Sequence, residues 1–231
     1  MLSVEHLESG YGESVILRDV TLRVGPGEVV CLLGRNGVGK TTLLKSIMGL
    51  LKARKGKVLY GGSEVTRKEP GERAKRGIGY VPQGREIFGQ LTVYENLLLG
   101  LEAAKGKNAE VPAEAIEKFP VLPSMYARRG GDLSGGQQQQ LAFARALASK
   151  PEVLLLDEPT EGIQPSIVEE IRGVIRGIKA EGRTGVLLVE QSLDFVRGVA
   201  DRFYVMEKGT IVAEGGIADL SDDIVRKHIT L

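Results

Sequence analysis

A glycine-rich segment has the residue types and the spacing of a phosphate-binding loop. Residues 34–41 read Gly-Arg-Asn-Gly-Val-Gly-Lys-Thr and match G-x-x-x-x-G-K-[ST] without a mismatch. The glycines let backbone N–H groups face a polyphosphate, and the start of a following helix adds positive potential. Lys40 is expected to reach the outer phosphates, and Thr41 to place its hydroxyl on Mg²⁺. The predicted phosphate-binding residues are Gly34, Arg35, Asn36, Gly37, Val38, Gly39, Lys40, Thr41 and Thr42.

Two carboxylates follow an apolar run later in the chain. Val153-Leu154-Leu155-Leu156 precedes Asp157 and Glu158, so both acids lie at the end of a predicted buried strand. Asp157 is expected to hold the Mg²⁺ shell, and Glu158 to polarise a water that attacks the γ-phosphate. An apolar strand that ends in Asp-Glu is common by itself. Together with the phosphate loop, it predicts nucleotide hydrolysis.

A third motif is the run Leu133, Ser134, Gly135, Gly136 and Gln137. Ser134 is a good helix N-cap, the two glycines allow close backbone approach, and the helix is predicted to run to residue 150. The start of such a helix is a second anion site. A capped helix would explain Ser-Gly-Gly, but not its position 23 residues before the acid pair. The spacing therefore favours a functional interpretation.

Strands and helices are predicted to alternate around these motifs. The predicted strands are 20–24, 28–33, 57–60, 78–81, 153–157 and 185–189, with a hairpin at 203–207/210–214. The predicted helices include 43–48, 92–99, 134–150, 165–180 and 193–200. Continuous apolar strands between helices predict an α/β fold with a parallel sheet that is covered on both faces. Residues 84–150, which lack β-rich runs, are predicted to be a helical insertion with a loop near 102–111.

Composition excludes several classes of protein. Hydrophobic residues make up 42% and charged residues 26% of the 231, which is typical of a globular chain rather than a disordered one. The formal net charge of +1 argues against binding nucleic acid by bulk charge. Cys31 is the only cysteine, so no internal disulfide is possible, and we expect a buried, inert thiol. Neither a signal peptide nor an apolar run of about 18 residues is found, which predicts a protein that is not secreted and does not span a membrane.

With these motifs in this order, the sequence resembles the ATP-binding subunits of ABC transporters over essentially its whole length. The resemblance implies a P-loop NTPase (RecA-like) core with a parallel sheet, an N-terminal antiparallel β subdomain and an inserted α-helical subdomain. It implies a single nucleotide-binding domain over 1–231, with its core at 1–83 and 151–231. It also implies ATP hydrolysis with Mg²⁺ and a head-to-tail dimer. In that dimer, residues 133–137 of one subunit, called the signature, contact the ATP held by the phosphate loop of the other.

Several further residues take roles by this resemblance. Tyr11 matches the aromatic residue that stacks on adenine, and Gln83 matches the glutamine that contacts Mg²⁺ and links the core to the helical insertion. Gln191 stands where the family usually has a histidine that contacts the γ-phosphate, and it cannot carry a proton at neutral pH. Gln164 replaces a frequent aspartate at the dimer seam. The only histidines, at positions 6 and 228, are expected at the surface.

The run Val189-Glu190-Gln191 resembles one of the two ATPases of the hydrophobic-amino-acid importer group. Within that group, residues 82–88, 128–140 and 157–166 are most similar to the urea-transporting branch. The resemblance therefore implies import of urea or short amides, with a branched-chain amino-acid importer as the alternative. A soluble ABC ATPase acting on nucleic acid is a different-class alternative. It would place a long coiled coil between phosphate loop and signature, whereas only 100 residues separate them here. A translation-associated ABC ATPase would normally carry two such domains in one chain. A non-catalytic binding module is disfavoured because the chain has both Lys40 and Glu158.

The implied partners are a second ATP-binding subunit, identical or different, and two transmembrane permease subunits. A periplasmic or extracellular substrate-binding protein would act indirectly, and no nucleic acid is expected. The chain would then lie peripherally on the cytoplasmic face of the cell membrane. Within residues 83–92, we expect Ile87, Phe88 and Leu91 to contact the permease. The alternative is that these three side chains pack the helical insertion onto the core.

Overall fold

The computed structural model describes residues 1–104 and 110–229. Its strands are β1 (Leu2–Tyr11), β2 (Ser14–Val24), β3 (Val29–Leu33), β4 (Ala53–Tyr60), β5 (Ser63–Glu64), β6 (Ile78–Val81), β7 (Val153–Asp157), β8 (Gly185–Val189), β9 (Arg202–Glu207) and β10 (Thr210–Gly216). Its α-helices are α1 (Lys40–Met48), α2 (Pro70–Arg76), α3 (Val93–Gly100), α4 (Ala113–Glu117), α5 (Gly135–Ala148), α6 (Pro165–Glu181), α7 (Leu193–Val199) and α8 (Asp222–His228). The described strands form one six-stranded and one four-stranded sheet.

The six-stranded sheet has the order β10-β9-β3-β8-β7-β6, and only β10 runs antiparallel to its neighbour. Every residue of β3, β7 and β8 is buried, because helices or the second sheet cover both faces. Parallel strands end at the same edge, so the loops after β3, β8 and β7 are neighbours there. The register pairs Leu32 with Val189 and Val189 with Asp157. The phosphate loop after β3 and the acid pair at the end of β7 therefore lie at the same edge of the sheet.

Alternate residues of the central strands enter two different hydrophobic cores, as the two-residue period of a strand requires. Val30 and Leu32 pack with Leu43 and Ile47 of α1 and with the four-stranded antiparallel sheet β2-β1-β4-β5. Val29, Cys31 and Leu33 pack toward α5, α6 and α7. Cys31 is fully buried, which confirms the prediction of a buried core cysteine, and burial raises the pKa of its thiol. The phosphate loop is thus held between two packed layers.

The predicted fold class is confirmed, with several local corrections. Helix α5 ends at Ala148 rather than at Lys150, because Lys150 adopts a left-handed backbone with φ of 52° before Pro151. Of the predicted loop 102–111, Leu101–Ala103 forms a 3₁₀ turn and residues 105–109 lie outside the described residues. His228 is half-buried against Glu207, at 3.0 Å, instead of lying free at the surface.

The sequence patterns missed β1, β5, the first halves of β2 and β4, and the helices α2, α4 and α8. The division into 1–83, 84–150 and 151–231 stays a prediction. Between residues 84 and 150, the described part holds α3, α4 and α5 and a single strand-like bridge, Thr92 with Arg129. None of the helices in the described ranges combines the length and the apolarity needed to cross a membrane.

Candidate nucleotide-binding and hydrolysis site

The phosphate loop joins β3 to α1 and depends on glycine at two close approaches. Gly34 and Gly39 have φ of 148° and 115°, and a Cβ on Gly34 would lie 2.4 Å from the carbonyl oxygen of Met206. Helix α1 begins at Lys40 after Gly39, which has no side chain to cap it. Gly39 therefore does not cap the first N–H groups of α1. These groups can donate hydrogen bonds to a bound phosphate.

Lys40 is buried, and its ammonium group lies across the loop. Its Nζ donates hydrogen bonds to the carbonyl oxygens of Gly34 (2.8 Å) and Arg35 (2.9 Å) and lies 3.8 Å from Oε1 of Glu158. Burial lowers the pKa of Lys40, and the negative charges of Glu158 and Asp157 oppose that shift. The loop thus holds a positive charge beside both carboxylates, where γ-phosphate oxygens could accept from it.

Asp157 and Thr41 form a pair of oxygen donors that fits Mg²⁺. Thr41 Oγ1 donates to Asp157 Oδ1 at 3.2 Å, and the Tyr80 hydroxyl donates to Asp157 Oδ2 at 3.4 Å. Asp157 is 1% exposed, and burial raises its pKa to about 6. A divalent cation would favour its charged form. Within residues 1–104 and 110–229, no three acidic, histidine or cysteine side chains cluster to hold a metal, so phosphate and water would complete the shell, as Mg²⁺ prefers.

Glu158 and Gln191 meet beside the phosphate loop. Gln191 Nε2 donates to Oδ1 of Asn36 (2.8 Å) and to Oε1 of Glu158 (2.9 Å). Glu158 has a left-handed backbone, with φ of 47°, and its N–H donates to the carbonyl oxygen of Val189 at 2.9 Å. A non-glycine residue with such a backbone costs about 1–3 kcal/mol and persists only where its surroundings hold it. Gln191 therefore links the loop to the predicted general base.

The structure places Gln83 next to the segment that follows Glu158. Gln83 is exposed, and its Nε2 donates to Oε2 of Glu161 at 2.8 Å. Among the described residues it forms no hydrogen bond with Thr41 or Asp157, so its role toward Mg²⁺ stays a prediction. Tyr11 is 49% exposed at the end of β1, and a base could stack on its accessible ring.

The signature residues begin α5 with two reciprocal hydrogen bonds. The Gln137 N–H donates to Ser134 Oγ at 3.4 Å, and the Ser134 N–H donates to Gln137 Oε1 at 3.0 Å. A Cβ on Gly135 would lie 2.8 Å from the guanidinium of Arg85, and one on Gly136 would lie 2.9 Å from Ile167. Leu133 is buried. The hydrogen bonds described for this chain do not join residues 133–137 to residues 34–42.

Sequence analysis missed the buried carboxylate of Glu190. Glu190 follows β8 directly, is 4% exposed, and accepts hydrogen bonds from Thr160 and from the Gln191 N–H. A signal was available, since a charged residue at the end of a continuous apolar strand is also the pattern that marked Asp157.

A phosphate loop after β3, an acid pair at the end of β7, which is separated from β3 by β8, and a signature helix define a P-loop ATPase of the cassette type. The ABC transporter family matches residues 17–161, and this chain belongs to that family. It is an ABC ATPase, a subunit class that works with membrane permeases to power transport.

Three relatives illustrate the range of transporters. The chain is 41% identical to the high-affinity branched-chain amino acid transport ATP-binding protein BraG of Pseudomonas aeruginosa, over 98% of this chain and 97% of that protein. It is 37% identical to the probable branched-chain amino acid transport ATP-binding protein LivF of Archaeoglobus fulgidus, over 95% and 94%. It is 36% identical to the lipopolysaccharide export system ATP-binding protein LptB of Haemophilus influenzae, over 100% and 97%.

Solved structures agree with this assignment. A nucleotide-free ATP-binding cassette from an ABC transporter has a TM-score of 0.82 at 33% identity, covering 94% of this chain and 91% of that chain. A dimeric cassette in a post-hydrolysis state, bound to ADP and phosphate, has a TM-score of 0.82 at 27% identity, covering 94% and 99%.

Proposed function

We propose that this chain binds and hydrolyses ATP with Glu158 as general base and thereby powers an importer of branched-chain amino acids. The observation that carries the catalytic part is the Gln191 amide, which lies 2.9 Å from Glu158 and 2.8 Å from Asn36 of the phosphate loop. This bridge joins the Glu158 carboxylate to the phosphate loop, which supports the proposal that Glu158 acts beside a bound γ-phosphate. General-base catalysis contributes about 10²–10⁴-fold to the rate of such a reaction.

The residues would divide the work as follows. Backbone N–H groups of residues 34–42 and the Lys40 ammonium would bind the phosphates, and the Tyr11 ring would stack on adenine. Thr41 and Asp157 would hold Mg²⁺, with Gln83 as a further ligand, and the metal would neutralise phosphate charge. Glu158 would accept a proton from the attacking water, because its carboxylate faces the loop.

Hydrolysis on this proposal needs a second ATP-binding subunit. The described hydrogen bonds do not join residues 133–137 to the chain's own phosphate loop, and on this proposal the N-terminus of α5 would contact an ATP held by the other subunit. The solved dimeric cassette with ADP and phosphate supports the dimer part of this proposal. Two permease subunits would carry the cargo across the membrane, with this chain on the cytoplasmic face and a substrate-binding protein acting indirectly.

The proposed cargo comes from the relatives and not from the site. BraG and LivF are both named for branched-chain amino acid transport, which supports a branched-chain amino-acid importer over a urea importer. The similarity of residues 82–88, 128–140 and 157–166 to the urea-transporting branch keeps urea as the second candidate. The LptB relatives are export proteins at 33–36% identity, so identity alone does not give the direction of transport.

The catalytic proposal is tested with Glu158→Gln, which keeps the shape and the contact with Gln191 but removes the base. We expect ATP affinity within about twofold of wild type and turnover at least about 100-fold lower, measured by phosphate release. The matched control is Glu169→Gln, which removes a carboxylate on the exposed side of α6. Near-normal turnover of Glu158→Gln would exclude Glu158 as the base.

The cargo is tested by deleting the gene and measuring uptake of labelled leucine and urea at low concentration. We expect leucine uptake to fall and to return when the wild-type gene is restored but not when Glu158→Gln is restored. Loss of urea uptake with unchanged leucine uptake would favour the second candidate. Unchanged uptake of both would contradict the import proposal.

A further inference from the structure

Glu190 is a buried carboxylate that accepts hydrogen bonds from two separate loops. Its Oε1 accepts from the Thr160 N–H at 3.1 Å and from the Thr160 hydroxyl. Its Oε2 accepts from the N–H groups of Gln191 (2.8 Å) and Ser192 (3.3 Å). The residue is 4% exposed, and the ion pairs found among the described residues do not include it. Four donors therefore satisfy this buried carboxylate.

The two loops that Glu190 joins carry Glu158, the proposed general base, and Gln191, which contacts it. Thr160 lies two residues after Glu158 in the segment that begins at the carboxyl end of β7, and the Glu161 N–H donates to the Glu158 carbonyl at 3.2 Å. Gln191 lies in the loop after β8. One carboxylate thus fixes both segments at the edge where β7 and β8 end.

The Gln191 side chain has little packing to hold it, whereas the Glu158 side chain that it contacts is only 10% exposed. Gln191 is exposed, so its position between Asn36 and Glu158 depends on where its backbone lies. That backbone is anchored by the N–H bond to Glu190. Glu158 has the left-handed backbone described above, which persists only where neighbours hold it, and the Thr160 bonds restrain the segment that follows it.

We propose that Glu190 is a positioning residue for ATP hydrolysis, which ties the Thr160 segment to the Gln191 loop so that the Gln191 amide and Glu158 keep their mutual geometry. The proposal rests on the general-base role proposed for Glu158. It assigns Glu190 no contact with nucleotide. Its effect is on the rate of the chemical step rather than on ATP affinity, because the loop 34–42 is held independently by β3 and α1.

The chemistry of the four donors explains why a carboxylate is required. Every group facing Glu190 in these bonds donates a hydrogen, and only an ionised carboxyl group offers two oxygens that both accept. Glu190→Gln keeps the size but places an NH₂ group against N–H donors at one end. The loop that faces the NH₂ group therefore loses its hydrogen-bond acceptor, while the other loop keeps its own. The buried N–H donors of the first loop are left unpaired, so the change disturbs one loop and not the other.

The first test is a cycle of Glu190→Gln, Gln191→Ala and the double variant, with steady-state phosphate release and ATP titration. We expect Glu190→Gln to lower kcat by about 10- to 100-fold with the KM for ATP within about twofold. The double variant should be no slower than the slower single variant by more than about threefold, because both changes remove one function. The matched control Glu214→Gln, on β10, should keep wild-type kcat.

Multiplied losses in the double variant, or wild-type turnover in either single variant, would overturn the proposal. Hydrogen exchange gives a readout that needs no turnover: in Glu190→Gln the amide of Thr160, or those of Gln191 and Ser192, should lose protection while the amides of α1 keep theirs. Unchanged protection at all three residues would also overturn it.

A milder variant keeps the test decisive if Glu190→Gln unfolds. Thr160→Val removes the hydroxyl donor and keeps the N–H, so we expect a loss of kcat of about three- to tenfold at unchanged melting temperature. Wild-type kcat in Thr160→Val would contradict the proposal. Glu158→Gln in the same assay distinguishes failure of the general-base proposal from failure of the Glu190 proposal. If Glu158→Gln retains turnover, the general-base assignment fails. If Glu158→Gln is inactive and the effects at 190 and 191 are independent, only the role of Glu190 is removed.

Discussion

Asp157→Asn should stabilise the nucleotide-free protein at neutral pH while it removes Mg²⁺-dependent hydrolysis. Asp157 is 1% exposed, and burial raises its pKa from 3.8 to about 6. The neutral form is therefore favoured by folding. The asparagine keeps a polar side chain for the hydroxyls of Thr41 and Tyr80, which now contact the carboxylate. It has no charge to desolvate.

The magnitude follows from the pKa change and its sign. A carboxyl group with a raised folded pKa stabilises the fold below its unfolded pKa, and this contribution is lost as pH rises through the folded pKa. The relevant window therefore runs from about pH 4 to about pH 6. A rise of about two pKa units corresponds to about 3 kcal/mol of unfolding free energy above that window. Wild type should match Asp157→Asn near pH 4 and be less stable by about this amount at pH 7.

Urea unfolding at pH 4.5, 6 and 7.5, without nucleotide and with a metal chelator, measures this difference directly. Glu181→Gln is a control of opposite sign. The Lys118 ammonium, 2.6 Å from Glu181, lowers the pKa of that carboxyl group, so its contribution is present at neutral pH and lost on acidification. Glu181→Gln should therefore lose stability at pH 7.5 relative to wild type and approach it at pH 4.5.

A pH-independent gap between wild type and Asp157→Asn would refute the reasoning, because packing and hydrogen-bond changes do not titrate. A less stable Asp157→Asn at pH 7.5 would refute it more directly. Retained Mg²⁺-dependent turnover in this variant would separately exclude Asp157 as a metal ligand.

Two further predictions concern the phosphate loop and the surface near Gln83. Lys40→Ala should weaken ATP binding by about 10- to 100-fold in equilibrium titration, since it removes a charge-assisted hydrogen bond and leaves two carboxylates facing the phosphates; unchanged affinity would contradict this. Phe88→Ala should abolish co-purification with membrane subunits at unchanged melting temperature, because Phe88 is 54% exposed. Ile87→Ala should lower the melting temperature, because Ile87 packs against the core. A lower melting temperature for Phe88→Ala would favour a packing role.

The centre of the parallel sheet could be predicted because β3, β7 and β8 are continuous apolar runs bounded by glycine, proline or charge. The antiparallel sheet could not be predicted in full. In β1, buried and part-exposed residues alternate imperfectly, and register shifts near Leu7 and Ser9 break the two-residue period on which a strand prediction depends. Helix α2 was missed for another reason: it is seven residues long and only Arg73 is buried, so it has no apolar stripe.

The site divides in the same way between local pattern and tertiary contact. The phosphate loop, the acid pair and the signature are contiguous in sequence, so motif and spacing predicted them. The Gln191 bridge joins Asn36 and Glu158 across 155 and 33 residues, and only the strand order β3-β8-β7 brings these together. Glu190 was missed because its role depends on a hydrogen bond with Thr160, which is 30 residues away in the sequence. Contacts between distant loops leave no spacing rule in one sequence.

Glutamine at position 191 changes what the site can do with protons. An amide donates and accepts hydrogen bonds but does not titrate, so it can orient the Glu158 carboxylate and cannot share its proton. The two histidines do not contribute, because His6 contacts Asp19 and His228 contacts Glu207. On the proposed mechanism, the proton of the attacking water is therefore accepted by Glu158, and hydrogen bonds from the loops must maintain the geometry of this carboxylate. This is why the buried anchor at Glu190 matters more here than it would beside a residue that could itself carry the charge.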